Sequence, residues 1–238
     1  MTNLTQVPLT AFDTETTGVD VYQDRIVSAA AICGRLSGGS AELGLWLINP
    51  GIEIPAAAVD VHGLTNEHVQ AHGSDPAVTL ETIAATLAES IREGAPLVVF
   101  NAAFDLVLLD SELRRYGLTP LAERLGGAPI HVIDPLVLDR AFDRYRKGKR
   151  RLDTLCQVYG VEVTEAAHDA AADSRMTLAV LGQMASKYPE LTEQSLAELQ
   201  SFQATAHQQW AQSFNEWRHQ QGFSGPGASE TWLPWVTC

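Results

Sequence analysis

Three groups of acids stand at spacings that could hold divalent cations. The first lies in Phe12-Asp13-Thr14-Glu15-Thr16-Thr17-Gly18. Alternate residues of a strand face the same side, so Asp13 and Glu15 project together while Phe12 and Thr14 point away. Two like charges about 4 Å apart repel by roughly 4 kcal/mol at an effective dielectric near 20, and a bound dication removes that cost. Alone, the pair reads equally well as the solvent-facing end of a strand. The second group is Asn101-Ala102-Ala103-Phe104-Asp105, which places Asp105 in the first turn of a helix. An acid there also suits the helix dipole. The third is His168-Asp169-Ala170-Ala171-Ala172-Asp173. Here Asp169 can cap a helix starting at Ala170, with His168 just outside and Asp173 one turn in. Each of these two is unremarkable by itself. Together Asp13, Glu15, Asp105 and Asp173 bring four carboxylates to strand ends and to helices packed on a sheet. In α/β folds such ends gather at one edge. Four oxygen donors suit two hard cations, Mg²⁺ or Mn²⁺.

The elements that must carry these residues follow from periodicity and turn signals. Pro8–Thr16, Arg25–Cys33 and Glu42–Ile48 are strand candidates, the last two separated by the turn Ser37-Gly38-Gly39-Ser40. They form an expected antiparallel meander. An irregular stretch follows, broken at Pro55, Gly63 and Gly73. Leu80, Ile83, Leu87 and Ile91 mark one face of a helix that begins at Pro76 and ends before Gly94. Pro96–Phe100 is a short buried strand, and Asn101 can cap the helix carrying Leu106, Leu109, Leu113 and Tyr116. Pro129–Ile133 is the last strand candidate. Asp134 and Pro135 then open a helix, and helices follow around Leu152–Tyr159 and Ala170–Ser186. The expected architecture is α/β with a mixed sheet over residues 1–188.

Residues 189–238 differ. They are Gln-rich and hold four of the five tryptophans, with Trp210, Phe214 and Trp217 on one face of a helix expected over Leu191–Gln221. This C-terminal helix and aromatic tail is expected to pack on the domain. Docking a partner such as a polymerase is the other reading.

Composition narrows the classes. The chain has 238 residues, 45% hydrophobic and 19% charged, an ordinary globular balance. Its apolar runs are too short to span a membrane. Met1–Pro8 lacks the charge and apolar core of a secretory signal. Three scattered cysteines, Cys33, Cys156 and Cys238, make neither a disulfide framework nor a zinc site, and a reducing cytoplasm is the expected setting. The net charge of −13 argues at first against nucleic acid. However, Arg140, Arg144, Arg146, Lys147, Lys149, Arg150 and Arg151 put seven of the sixteen basic residues into twelve positions. That run reads as a phosphate-contacting loop.

The set Asp13-Thr14-Glu15, Asn101…Asp105 and His168…Asp173 resembles the DEDD exonucleases, in the subgroup with a catalytic His five residues before the last Asp. By pattern it is most similar to the proofreading exonuclease subunit of bacterial DNA polymerase III and its stand-alone relatives. The match in order and spacing runs over residues 9–185. Val61-His62-Gly63-Leu64-Thr65 resembles the segment lining the terminal-nucleotide pocket, and Leu152-Asp153-Thr154-Leu155-Cys156 the helix before the last motif. The resemblance implies a ribonuclease-H-like fold with a five-stranded mixed sheet flanked by helices. It does not cover the final fifty residues.

The resemblance also implies the reaction: 3′–5′ hydrolysis of terminal phosphodiesters, releasing nucleoside monophosphates, with DNA favoured over RNA. One ion would be held by Asp13, Glu15 and Asp173, and a second by Asp13 with Asp105 acting through water. His168 would take the proton of the attacking water. Thr16, Thr17 and Gly18 would hold the terminal sugar with backbone and hydroxyl groups. His62, Leu64 and Phe104 would supply a wedge and a stacking surface, though core packing explains those three as well. Arg146, Lys147 and Lys149 would meet phosphates. A ribonuclease of the same family, or a nucleic-acid-binding module without catalysis, are the alternatives. An aspartyl phosphatase on Asp13 is disfavoured by Glu15 and by the scarcity of lysine.

Overall fold

The computed structural model describes residues 2–163 and 169–235. In chain order the elements are β1 (Leu9–Thr16), β2 (Ile26–Gly34), β3 (Ser40–Leu47), α1 (Ala56–His62), α2 (Asn66–His72), α3 (Pro76–Arg92), β4 (Leu97–Val98), α4 (Ala102–Arg115), α5 (Leu121–Arg124), β5 (Val132–Ile133), α6 (Pro135–Phe142), α7 (Leu152–Tyr159), α8 (Ala170–Lys187), α9 (Glu190–Glu193) and α10 (Leu196–Gln220). The sheet has five strands in the order β3-β2-β1-β4-β5. The first three pair antiparallel, and β4 and β5 add in parallel to β1. This is the mixed α/β sheet of a ribonuclease-H-like fold.

The period of two along the central strands divides the core into two layers. Phe12, Ala29 and Ala31 face α3 and α4, where they meet Leu80, Ile83, Leu106 and Leu109. Ala11, Ala30 and Ile32 face the other way, onto Leu178, Val180 and Leu181 of α8. Asp13 follows Ala11 in the alternation and so rises on the α8 side, where Asp173 waits.

Three local expectations are corrected. The stretch after β3 is not irregular. It forms α1 and α2, and the Thr65 hydroxyl caps α2 by accepting the His68 N–H at 3.2 Å. The helix expected over Leu191–Gln221 breaks at Gln194, because Ser195 and Glu198 form a capping box that starts a new helix. Asn101 does not cap α4 with its side chain. It adopts φ 62°, the only non-glycine with positive φ among the described residues.

The C-terminal segment closes back on the sheet. Two glutamines of α10 serve the outer edge of β5: Gln200 Oε1 accepts the Val132 N–H at 2.8 Å, and Gln203 Oε1 accepts the Asp134 N–H at 2.7 Å. They satisfy an edge that would otherwise present bare backbone groups. Beyond α10, Asn215 holds Ala228 through both backbone groups, and Trp232 and Leu233 are buried against the core. Cys33 and Cys156 are free thiols. No helix among the described residues is long and apolar enough to cross a membrane.

Candidate active site

The acids converge at the C-terminal end of β1. One carboxylate oxygen from each of Asp13, Glu15 and Asp173 lies within 4.8 Å of the other two. The strand supplies Asp13 and Glu15 from adjacent same-side positions, and the first turn of α8 supplies Asp173. That turn is set by Asp169, whose carboxylate accepts the N–H groups of Ala171 at 3.0 Å and Ala172 at 3.1 Å.

Asp105 joins from α4. Its Oδ1 accepts both the Thr14 N–H at 3.1 Å and the Thr14 hydroxyl at 2.6 Å. Thr14 faces away from Asp13 along the strand, so this bond ties the fourth acid to the strand between the first two. All four, with Phe100, Phe104, Arg140 and Arg150 among the walls, line a recess of about 410 Å³.

The electrostatics are those of crowded, desolvated acids. Burial pushes the Asp13 carboxyl well above the ordinary range, reinforced by the charges of Asp105, Asp173 and Glu15. Glu15 is pushed up to about 8, first by burial and then by Asp173 and Asp105. Burial also lifts Asp105 to about 7 against the opposing hydrogen bond from Thr14. An all-oxygen donor set with this mutual repulsion fits hard divalent cations, whose charge inverts the local titration logic.

The chain matches the exonuclease family model over residues 10–181. This chain belongs to the exonuclease family. Among curated proteins it is 30% identical over 175 residues to the DNA polymerase III subunit epsilon of Treponema pallidum, covering 72% of this chain and 74% of that protein. It is 34% identical over 181 residues to a subunit epsilon-like protein of Rhodobacter capsulatus, covering 74% of this chain but 23% of the relative. Against the PolC-type DNA polymerase III of Lacticaseibacillus paracasei the identity is 30%, over 74% of this chain and only 11% of the polymerase. Of the solved structures, Escherichia coli exonuclease I bound to a dA16 oligonucleotide has the same fold, with a TM-score of 0.65 at 22% identity, over 78% of this chain and 42% of that one. This exonuclease-family chain therefore spans less than half of several relatives.

The other expected site residues are distributed around this centre. His62 and Leu64 line a second recess of about 320 Å³ with Glu15, Trp46 and Asp169. There His62 Nδ1 accepts the Leu64 N–H at 3.1 Å. Phe104 is half-buried at the carboxylate recess. Lys147 and Lys149 are exposed. His168 lies outside the described residues.

Thr16, Thr17, Gly18 and Arg146 are each engaged within the fold. Thr17 is buried, and its hydroxyl is closed into a turn, donating to Asp24 at 2.8 Å and accepting the Arg25 N–H at 3.0 Å. The adjacent Thr16 hydroxyl donates to the Gly18 carbonyl at 2.7 Å, and a Cβ on Gly18 would meet the Asp24 carboxylate at 2.5 Å. Thr16 ends β1, and Thr17 and Gly18 build the turn after it. Arg146 is not a free cation either. Its guanidinium pairs with the fully buried Asp139 and, at 3.2 Å, with Asp143.

Sequence reasoning missed Asp134 as a site-building residue. Its carboxylate accepts the Leu136 N–H at 2.9 Å as expected of a cap, but also the N–H groups of Asn101 at 3.0 Å and Ala102 at 2.9 Å. Asp134 therefore anchors the start of α4, one turn before Asp105. The Asp-Pro pair signals a helix start; nothing in its spacing signals a second helix served by the same carboxylate.

Proposed function

We propose that this chain is a two-metal 3′–5′ exonuclease that removes nucleoside monophosphates from single-stranded or frayed DNA ends. The observation that supports it most is the convergence of Asp13, Glu15 and Asp173 within 4.8 Å, with Asp105 tied in through Thr14. DNA is favoured because the relatives named above are DNA polymerase III components, and the structural neighbour was solved with a DNA oligonucleotide.

Asp13, Glu15 and Asp173 would hold one Mg²⁺ or Mn²⁺ ion, and Asp13 with Asp105 a second. Such ions would supply an acidified water at neutral pH and offset charge on the departing 3′ oxygen. Phosphoryl transfer of this kind depends on positioning and charge neutralisation, so no covalent nucleophile is needed. His168, directly before the Asp169 cap, would accept the proton of the attacking water. The recess of His62 and Leu64, beside Glu15, would seat the terminal base, with Phe104 on the opposite side. Lys147 and Lys149 are exposed cations of the basic loop suited to phosphates, and Arg146 would contribute from its ion pair. Residues 1–188 would form the exonuclease domain and 189–238 an extension packed on it, with a polymerase the partner class that the relatives' names suggest.

The test is digestion of end-labelled single-stranded DNA, mismatched duplex DNA and RNA with Mg²⁺ or Mn²⁺, using Asp13→Ala as control. Stepwise 3′ shortening of DNA is expected. Preference for RNA would move the chain to the exoribonuclease reading, and cleavage of nothing would leave a binding module.

A further inference from the structure

The carboxylate recess does not end at the metal-ligand acids. Arg140 and Arg150 line it, and both also line a separate recess of about 410 Å³ between α6, the basic loop and α10. Arg144 and Arg146 complete its cationic wall, while Phe202 and Trp210 of α10 form the opposite side. Asp139 and Asp143 neutralise Arg146 and Arg150 within this wall. Arg140 and Arg144 form no ion pair among the described residues. The Arg140 guanidinium instead lies 3.6 Å from the centroid of the Trp210 ring, and that ring stacks on Phe214 at 5.4 Å. The Arg140 cation is thus held against an aromatic ring at the junction of two cavities, within the field of Asp134 and Asp139 but in no ion pair with either. On a chain of net charge −13, this places the Arg140 guanidinium beside the acidic centre, with exposed Arg144 in the adjoining recess.

We propose that this second recess is a phosphate-binding subsite for the strand 5′ to the scissile linkage, with Arg140 and Arg144 contacting phosphates and Trp210 positioning Arg140. The proposal rests on the exonuclease reading above and names where the rest of its single-stranded substrate lies. Half of the subsite comes from α10, outside the family match at residues 10–181. The phosphate-contacting arginines would therefore come from the shared domain, and the ring that positions Arg140 from this chain's extension. Guanidinium groups suit phosphate oxygens by geometry as well as charge. Anchoring several nucleotides upstream would raise affinity for longer strands without altering chemistry at the terminal bond.

The experiment compares hydrolysis of a dinucleotide with that of a 12-nucleotide single strand in Mg²⁺, alongside fluorescence-anisotropy affinity for the 12-mer across a salt series. The variants are Arg144→Ala, Arg144→Lys and Trp210→Ala, each checked by thermal melting. Arg144→Ala should cut the 12-mer to dinucleotide ratio of kcat/KM by about tenfold, through KM. It should also flatten the salt slope of 12-mer binding by about 0.7, and Arg144→Lys should restore part of both. Trp210→Ala should shift the same ratio through KM. Its failure to fold would leave Arg144, an exposed residue, to decide. Unchanged ratios and salt slopes in the Arg144 variants overturn the subsite. So does poly-glutamate binding, measured by the same anisotropy assay, that is lost in Arg144→Ala while DNA affinity stays intact, which would assign the recess to an acidic protein. A wild-type chain that hydrolyses neither substrate fails the exonuclease reading alone, because loss of 12-mer affinity in Arg144→Ala still supports the subsite and retention still overturns it.

Discussion

Gln203 and Asp134 are joined so that the C-terminal helix reaches the catalytic region in one step. The Gln203 amide accepts the Asp134 N–H at 2.7 Å and donates to the Val132 carbonyl at 2.9 Å. The Asp134 carboxylate then takes the first amides of α4, and α4 carries Asp105. Trp232 of the tail adds its indole N–H to the same carboxylate at 3.4 Å. An extension outside the family match thus supports an acid inside it.

Replacing Gln203 with Leu should destabilise the fold by about 1–3 kcal/mol, because it leaves the Asp134 N–H and Val132 carbonyl buried without partners. Urea unfolding measures this. A variant as stable as wild type would mean that water or a shifted Gln200 satisfies the edge of β5.

Asp134→Asn removes the charge and one acceptor from a carboxylate that serves three backbone amides. A loss on the order of 2 kcal/mol is expected, together with reduced activity as the start of α4, and with it Asp105, loosens. Stability and kcat should fall together. A drop in stability with kcat untouched would separate Asp134 from the site.

The raised carboxyl of Glu15 sets a pH dependence. Between its ordinary value of 4.5 and about 8, the folded state keeps a proton that the unfolded chain has released. Stability without metal must therefore fall as pH rises through that window. Divalent ions bind the ionised acids, so their stabilising increment should grow over the same range. Thermal melts in EDTA and in Mn²⁺ at steps from about pH 5 to pH 8 check both slopes. A flat profile in EDTA would remove the crowded-acid argument.

Asp13→Asn should separate stability from function. Removing one member of a repelling, desolvated cluster is expected to stabilise the metal-free protein at about pH 8 by on the order of 1 kcal/mol or more, while abolishing activity and the increment from Mn²⁺. A destabilised variant would show that Asp13 has a structural partner outweighing the repulsion.

His168→Ala tests the proposed proton acceptor. Metal-dependent stabilisation should persist, and turnover should fall by about 10²–10⁴. Near-wild-type turnover would exclude His168 from the mechanism.

Asp13, Glu15 and Asp173 were legible in the sequence because each obeys a local rule. The period of two puts Asp13 and Glu15 on one side of β1, and the Asp169 cap sets Asp173 one turn into α8. The meander and the helices after Pro76 and Ala170 followed from the same short-range periodicity. What depends on residues far apart in the chain was decided only by the tertiary structure. The Thr14 bond to Asp105, the reach of Asp134 to α4 and the contact of Arg140 with the Trp210 ring each join separate elements across a gap that no spacing encodes. The basic run shows the difference most clearly. Its charges are countable in the sequence, but buried Asp139 holds Arg146 and Arg150, while the ring of Trp210 holds Arg140 without neutralising it. A charge is a property of the residue; whether it is available to a ligand depends on what has packed beside it.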